Sequence, residues 1–166
     1  MKPNVSKELK LSHPYLLQIL EYFPDKGIFI WKENNRNQKD LGKEAGSKNN
    51  GRYRIQINKI TYLRSRLAWF YTHGFWPKNQ LDHKNRVRHD DRIENLREAT
   101  SQQNSWNRVL PRKDDLPKGI YIRGNKFKVE IRHEEKLKYL GTFANLDDAI
   151  KAREEFEHIH RKFLYD

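Results

Sequence analysis

Cysteine is absent from the 166 residues. That excludes a disulfide framework and any thiolate zinc site. Long apolar runs are missing as well: the opening stretch, MKPNVSKELKLSHPYLL, is broken by lysine, proline and polar residues. It reads as neither a signal peptide nor a membrane span, so a cytoplasmic protein is expected. Hydrophobic residues are scarce, at 36% against 34% charged, so any core is modest. Four Trp, eight Tyr and eight Phe partly offset this, because each ring buries a large area. Acidic residues are in deficit, 22 against 34 Lys and Arg, for a net charge of +12. Such a balance points to a polyanion, although ribosomal or membrane-surface binding gives the same number. Its distribution says more. Residues 1–81 hold 15 Lys/Arg against 6 Asp/Glu, residues 82–110 hold 6 against 5, and residues 111–166 hold 13 against 11. The basic excess therefore precedes the middle of the chain and does not sit in a tail.

The length suits one medium domain or two small ones. Pro14 can open a short helix with Leu16, Leu17, Ile19 and Leu20 on its apolar face, ended by the turn residues Pro24-Asp25-Lys26-Gly27. Ile28-Phe29-Ile30-Trp31 reads as a buried strand. Residues 33–51 are polar and read as a loop, either touching a ligand or simply solvated. In residues 52–63, Tyr53, Ile55 and Ile57 alternate with Arg52, Arg54 and Gln56, which predicts a hairpin turning at Asn58-Lys59. Leu67, Ala68, Phe70 and Tyr71 recur at helical spacing, with Gly74 as a left-handed end and Pro77 beyond it. Trp69 and Trp76 read as packing groups rather than base-stacking ones.

Pro111 and Pro117 bracket a charged run, the look of a linker. Residues 119–123, 126–132 and 138–143 then read as three strands, the first two joined at Gly124-Asn125. Phe127, Val129 and Ile131 share one face, and Lys126, Lys128, Glu130 and Arg132 the other. Asn145 is placed to cap a following helix, with Asp147 and Asp148 at its positive end. The stripe Ala149, Ala152, Phe156, Ile159 and Phe163 is expected to cover the apolar face of the strands.

The chemistry concentrates in residues 81–108, LDHKNRVRHDDRIENLREATSQQNSWNR. Hydrolysis of a phosphodiester needs an activated water, a stabilised transition-state charge and a neutralised leaving oxygen. Carboxylate and amide oxygens are hard donors suited to Mg²⁺ or Mn²⁺. An imidazole can take a proton from water near neutral pH, and the surrounding arginines and lysines suit phosphate. Asp82 and His83, adjacent on a strand, point to opposite faces. Thr100-Ser101-Gln102-Gln103 matches a capping box that starts a helix at Ser101, with Asn104 in its first turn and Arg108 one turn later. Asparagine is a poor helix former, so Asn104 and Asn107 suggest a job beyond helix support; a polar solvent-facing helix has the same pattern. Together these residues predict a metal-dependent nuclease centre.

Asp82-His83-Lys84-Asn85, the run from Asp90 to Arg97 (DDRIENLR), Ala99-Thr100-Ser101-Gln102-Gln103-Asn104 and Asn107-Arg108 resemble the central motif of HNH endonucleases. The likeness is strongest to phage-type and intron-encoded homing endonucleases with a ββα-metal site, and it covers residues 28–108. It implies Asp82 and Asn104 as ligands of one divalent cation, Mg²⁺ or Mn²⁺, and His83 as general base. Asn95 is implied as the catalytic-loop brace, with Arg108 near phosphate and Arg86 on the DNA. Three positions depart from the family pattern: Ser65 replaces a common histidine, Arg86 a common glycine and Asp91 a common asparagine. The C-terminal strands and helix resemble the AP2 DNA-binding domain, through Gly119-Ile120-Tyr121-Ile122-Arg123, the run from Lys126 to Arg132 (KFKVEIR) and Tyr139-Leu140-Gly141-Thr142-Phe143. By that likeness Arg123, Lys128 and Arg132 enter the major groove, with Tyr121 and Tyr139 beside them.

The expected architecture is α+β. A small N-terminal antiparallel sheet and a ββα-metal HNH core occupy residues 1–110, followed by a linker at 111–117. A three-stranded antiparallel sheet packed on one helix, the AP2-like module, occupies 118–166. The expected function is metal-dependent endonucleolytic hydrolysis of DNA, nicking or cutting both strands, by a monomer or weak dimer with no membrane contact. The alternatives are a DNA-binding protein of this fold with a weak or silent centre, and an RNA-binding or architectural protein.

Overall fold

The computed structural model describes residues 5–32, 40–108, 115–134 and 136–164. Among them the fold is mixed α+β, built from four small antiparallel sheets and few helices. The chain divides into two units, Met1–Asn107 and Arg108–Asp166. Among the described residues no helix is long and apolar enough to cross a membrane.

The first unit begins with α1 (Val5–Glu8) and α2 (His13–Ile19), then β1 (Leu20–Phe23) and β2 (Ile28–Trp31). The apolar spacing predicts helix up to Pro24, but α2 stops at Ile19. Leu20 adopts extended geometry (φ −130°, ψ 147°), and β1 pairs antiparallel with β2. A period of two wins here, because Leu20 and Tyr22 enter the core while Glu21 faces water. Pro24-Asp25-Lys26-Gly27 is thus a hairpin turn rather than a helix stop. Gly27 sits at φ +66°, and a β-carbon on it would lie 2.4 Å from the backbone nitrogen of Arg92. The turn therefore packs backbone to backbone against residues 91–92, which only glycine permits.

Part of the stretch read as loop is a strand, β3 (Ser47–Asn49), which joins β4 (Arg52–Ile57) and β5 (Ile60–Leu63) in a second sheet. Residues 33–39 of that stretch lie outside the described residues. The β4–β5 turn places Asn58 and Lys59 at φ +48° and +65°, the paired left-handed geometry of a tight hairpin, without glycine. Helix α3 (Arg64–His73) ends at Gly74, φ +77°, whose N–H bonds to the Phe70 carbonyl at 2.9 Å. Its Leu67, Ala68 and Phe70 join Leu16, Ile19, Phe29 and Ile55 in the core. Trp76 stacks on Phe70 at 4.2 Å and on Tyr62 at 5.8 Å. Buried Arg66 grips both Glu8 oxygens, at 2.6 and 3.0 Å, and donates to the carbonyls of Pro77 and Asn79. It fastens α1 to the segment entering β6 (Gln80–His83). β6 pairs with β7 (Leu96–Ala99), and α4 (Ser101–Asn107) follows.

The second unit orders its strands β10 (Lys136–Phe143), β9 (Lys126–His133) and β8 (Ile120–Arg123), with α5 (Leu146–His160) packed on one face. Asn145 caps α5 by accepting the Asp148 N–H at 2.9 Å. Its core is Ile120, Val129 and Ala149, ringed by Phe127, Leu140, Phe143, Leu146 and Ile150. The expected stripe shifts along the helix: Ile159 is 65% exposed, whereas Leu146 and Ile150 pack inward. Towards the C-terminal end the buried position belongs to Glu157, held by Arg153 and Arg161 at 3.0 and 2.8 Å. Arg161 in turn donates to the Arg132 carbonyl of β9 at 2.6 Å, so a polar clamp stands where apolar cover is expected. Residues 111–114 of the expected linker lie outside the described residues.

Gly27→Ala should destabilise the protein by about 2 kcal/mol or more, through left-handed strain and backbone collision. Urea denaturation reads this directly, and an unchanged midpoint would argue against the close approach.

Candidate active site

β6 and β7 set the frame. Their register pairs Asp82 with Arg97 and His83 with Leu96. Arg97 Nε lies 3.1 Å from Asp82 Oδ2, with both side chains largely buried. Strand alternation sends the two neighbouring side chains to different partners. Asp82 meets Asn107 of α4, and His83 meets Asp91 from the connecting loop.

That loop is held by Asn95, which is itself buried. Its Oδ1 accepts the Asn85 N–H at 3.0 Å, its Nδ2 donates to the Asp90 carbonyl at 2.7 Å, and its own carbonyl accepts from the Lys84 N–H at 2.9 Å. Arg86 takes φ +66°, so the residue standing for the family's glycine accepts the left-handed turn. Asn85 and Arg92 converge on Asp90, and the Arg92 hydrogen bonds are the chief cause holding its carboxyl down to about 2.

On the His83 side, Nε2 lies 2.9 Å from Asp91 Oδ1, and Asp91 Oδ2 accepts from Arg64 Nε at 2.8 Å. All three side chains are almost wholly buried. Arg64 is fixed further by Glu44 at 2.8 Å, by the His89 carbonyl at 3.0 Å and by the Tyr53 ring, 3.8 Å below its guanidinium.

On the Asp82 side, α4 starts as its capping box predicts. Thr100 Oγ1 accepts from the Gln103 N–H at 3.2 Å, and Gln103 Oε1 accepts from the Thr100 N–H at 2.8 Å. The amide meeting Asp82 belongs to Asn107, one turn beyond Asn104. Asn107 Nδ2 donates to Asp82 Oδ1 and Oδ2 and to the His83 carbonyl, at 3.0, 2.8 and 2.8 Å. Asn104 Nδ2 instead donates to Gln80 Oε1 at 2.8 Å. Arg86 Nε donates to Asn107 Oδ1 at 3.0 Å, so Arg86 reaches into the centre. Arg52 belongs to the same neighbourhood. Burial and then Arg88 lower its guanidinium pKa, while Asp91 and Asp82 act in the opposite sense.

The donor set suits a hard cation. Three oxygens, two from Asp82 and one from the His83 backbone, converge on the point held by the Asn107 amide nitrogen. Among the described residues no cluster of three or more His, Cys, Asp or Glu could hold a metal. A cation here would therefore draw on amide, carbonyl and water oxygens as well as one carboxylate, in the manner of Mg²⁺. Sequence alone does not mark Asp91, Arg64 and Arg97 as site residues. The only local signal for them is that Asp91 departs from the family's asparagine.

In the second unit, register and alternation set Tyr121, Arg123, Lys126, Lys128, Arg132 and Tyr139 on the sheet face away from α5. Tyr121 and Tyr139 are 44% and 59% exposed. Glu130 shares that face and pairs with Lys128, whose ammonium also lies 5.9 Å from the Tyr139 ring centre. Arg108 is exposed and falls after the last residue of α4.

Asn107→Ala should cost about 1–3 kcal/mol, because it strips buried acceptors of their donor. Asn104→Ala, at a half-buried position, should cost less. Equal urea midpoints for the two variants would show that the Asn107 contacts carry no net weight.

No curated protein and no solved structure matches the chain. One family model does, over residues 62–106, from within β5 to the penultimate residue of α4, and it is described as HNH endonuclease. The match takes in the segment that carries Asp82, His83, Asp91 and Asn95, and that segment is similar to HNH endonucleases.

Proposed function

We propose that the protein is a metal-dependent DNA endonuclease that hydrolyses phosphodiester bonds to 5′-phosphate and 3′-hydroxyl ends. The observation that carries this reading is the placement of His83 beside the oxygen cradle of Asp82, inside the HNH-matched segment. Asp82 would hold one Mg²⁺ or Mn²⁺ with the amide oxygens of α4. Asn104 comes from the family resemblance and Asn107 from its contact with Asp82; the two lie on one helix face. When bound, the cation supplies Lewis-acid neutralisation of phosphate charge.

His83 takes the proton of the attacking water. Asn95 keeps the loop between β6 and β7 closed, so that the residues facing His83 stay in place. Arg52, Arg86 and Arg88 supply cations for the phosphate backbone. The C-terminal unit serves as an AP2-like module that lays its cationic sheet face in the major groove through Arg123, Lys128 and Arg132. Arg108 adds a phosphate contact.

A DNA-binding protein with a silent centre is the second reading. It draws on the burial of Asp82 and His83, 6% and 4% exposed, and on the Arg97 and Asn107 contacts that occupy the carboxylate.

Cleavage of plasmid DNA separates the two. The wild-type protein should cut with Mg²⁺ or Mn²⁺ and stop in EDTA. His83→Ala should abolish cutting, by roughly 10²-fold or more, while DNA affinity survives. Binding without cutting in any divalent metal would establish the silent reading. For the C-terminal sheet, replacing Arg123, Lys128 and Arg132 together by Ala should lower the slope of log K against log salt by about 2–3. An unchanged slope would remove that face from phosphate contact.

A further inference from the structure

We infer that Asp91 is a positioning residue that fixes the tautomer of His83, and that Arg64 holds Asp91 to that task. The inference rests on the reading of His83 as general base and names what sets its reactive nitrogen.

The Asp91 carboxylate has two oxygens in two different bonds, Oδ1 to His83 Nε2 at 2.9 Å and Oδ2 to Arg64 Nε at 2.8 Å. It cannot swing, because Arg64 is anchored at Glu44 and the His89 carbonyl and stacks on Tyr53. The Asp91 backbone is anchored as well. Its carbonyl accepts the Tyr22 hydroxyl at 2.7 Å, and the Gly27 turn packs against it.

An ionised carboxylate accepts hydrogen bonds and never donates. His83 Nε2 must therefore carry the hydrogen, and the lone pair is left on Nδ1, the nitrogen available to a water. An asparagine at this position, as in the family pattern, has one acceptor end and one donor end, and here Arg64 claims the acceptor. Aspartate accepts at both ends.

Asp91→Asn is a sharp probe because it is nearly isosteric. The Arg64 guanidinium is always a donor, so the new amide must turn its oxygen towards Arg64. Its NH₂ then faces His83 Nε2, which becomes the acceptor, and the hydrogen moves to Nδ1. The base would point a hydrogen at the water it should deprotonate.

The ring ¹⁵N resonances of His83, recorded on the metal-free protein at alkaline pH, report the tautomer directly. The wild-type protein should show Nε2–H and Asp91→Asn should show Nδ1–H. In steady-state cleavage Asp91→Asn should lower kcat by about 100-fold or more, with KM little changed. A residue of purely structural importance would not move the tautomer. Nδ1–H in the wild-type protein overturns the inference, even if the variant does not fold. So does an Asp91→Asn protein that keeps Nε2–H or wild-type kcat. Should the wild-type protein cut no DNA, the ring spectrum still decides the tautomer while the nuclease reading falls.

Discussion

One buried carboxylate, that of Asp91, organises the first unit. An ion removed from water costs several kcal/mol unless its partners are close and well aligned. Here α3 supplies Arg64 and β6 supplies His83, while β1 supplies the Tyr22 hydroxyl to the same residue's carbonyl. Burial, and then the Asp91 charge, push the Tyr22 phenol pKa well up, so this donor keeps its hydrogen. The Gly27 turn closes on the backbone beside it. Segments remote in sequence therefore share one solution to a single electrostatic problem. Loss of one partner strands the others.

Asp82 and Asp91 lie close in sequence but have different surroundings. Asp91 faces a guanidinium and an imidazole in a fixed, almost fully buried arrangement. Asp82 also pairs with a guanidinium, from Arg97, but its remaining contacts go to the side-chain amide of Asn107. An amide carries a donor and an acceptor on one rotatable group, and half a turn presents oxygen instead of nitrogen. On the Asp82 side that amide is held at its oxygen by Arg86 Nε at 3.0 Å, whereas the Asp91 side offers no such two-ended group. This asymmetry separates the two carboxylates: one meets a rotatable amide and the other a fixed guanidinium and imidazole.

The count of 34 Lys and Arg overstates the cations that the surface presents. Arg64 and Arg66 are interior groups, spent on Asp91 and Glu44 and on Glu8. Arg161 is likewise buried against Glu157, and desolvation lowers its pKa. With so few aliphatic residues, these ion pairs and the stacked aromatics complete the small cores. Exposed cations include Lys84, Arg86 and Arg88 in the loop after β6, and Arg123, Lys126 and Arg132 on the β8–β10 sheet.

The elements legible from sequence are those set within a few residues. Thr100 and Gln103 cap α4 because both partners sit in one turn. Gly74 ends α3, and Asn58-Lys59 turns the β4–β5 hairpin, because a local φ decides each. The placement of Asp82 and His83 side by side on β6, and the short reach of Asn95 to Asp90, are likewise local, since strand alternation and loop spacing constrain them. Other features were decided only when distant segments met. Leu20–Phe23 carries helical apolar spacing, yet becomes a strand because β2 offers its backbone a partner. Ile159 continues an apolar stripe, yet stays exposed because Glu157 and Arg161 occupy the buried end of the helix. The choice of Asn107 over Asn104 against Asp82 depends on where α4 docks on β6, since both asparagines share one helical face. The Arg64–Asp91–His83 chain spans 27 residues, and no local pattern announces it. Short-range hydrogen bonding and backbone strain are written in neighbouring residues, but the pairing of buried charges depends on which surfaces the folded chain removes from water.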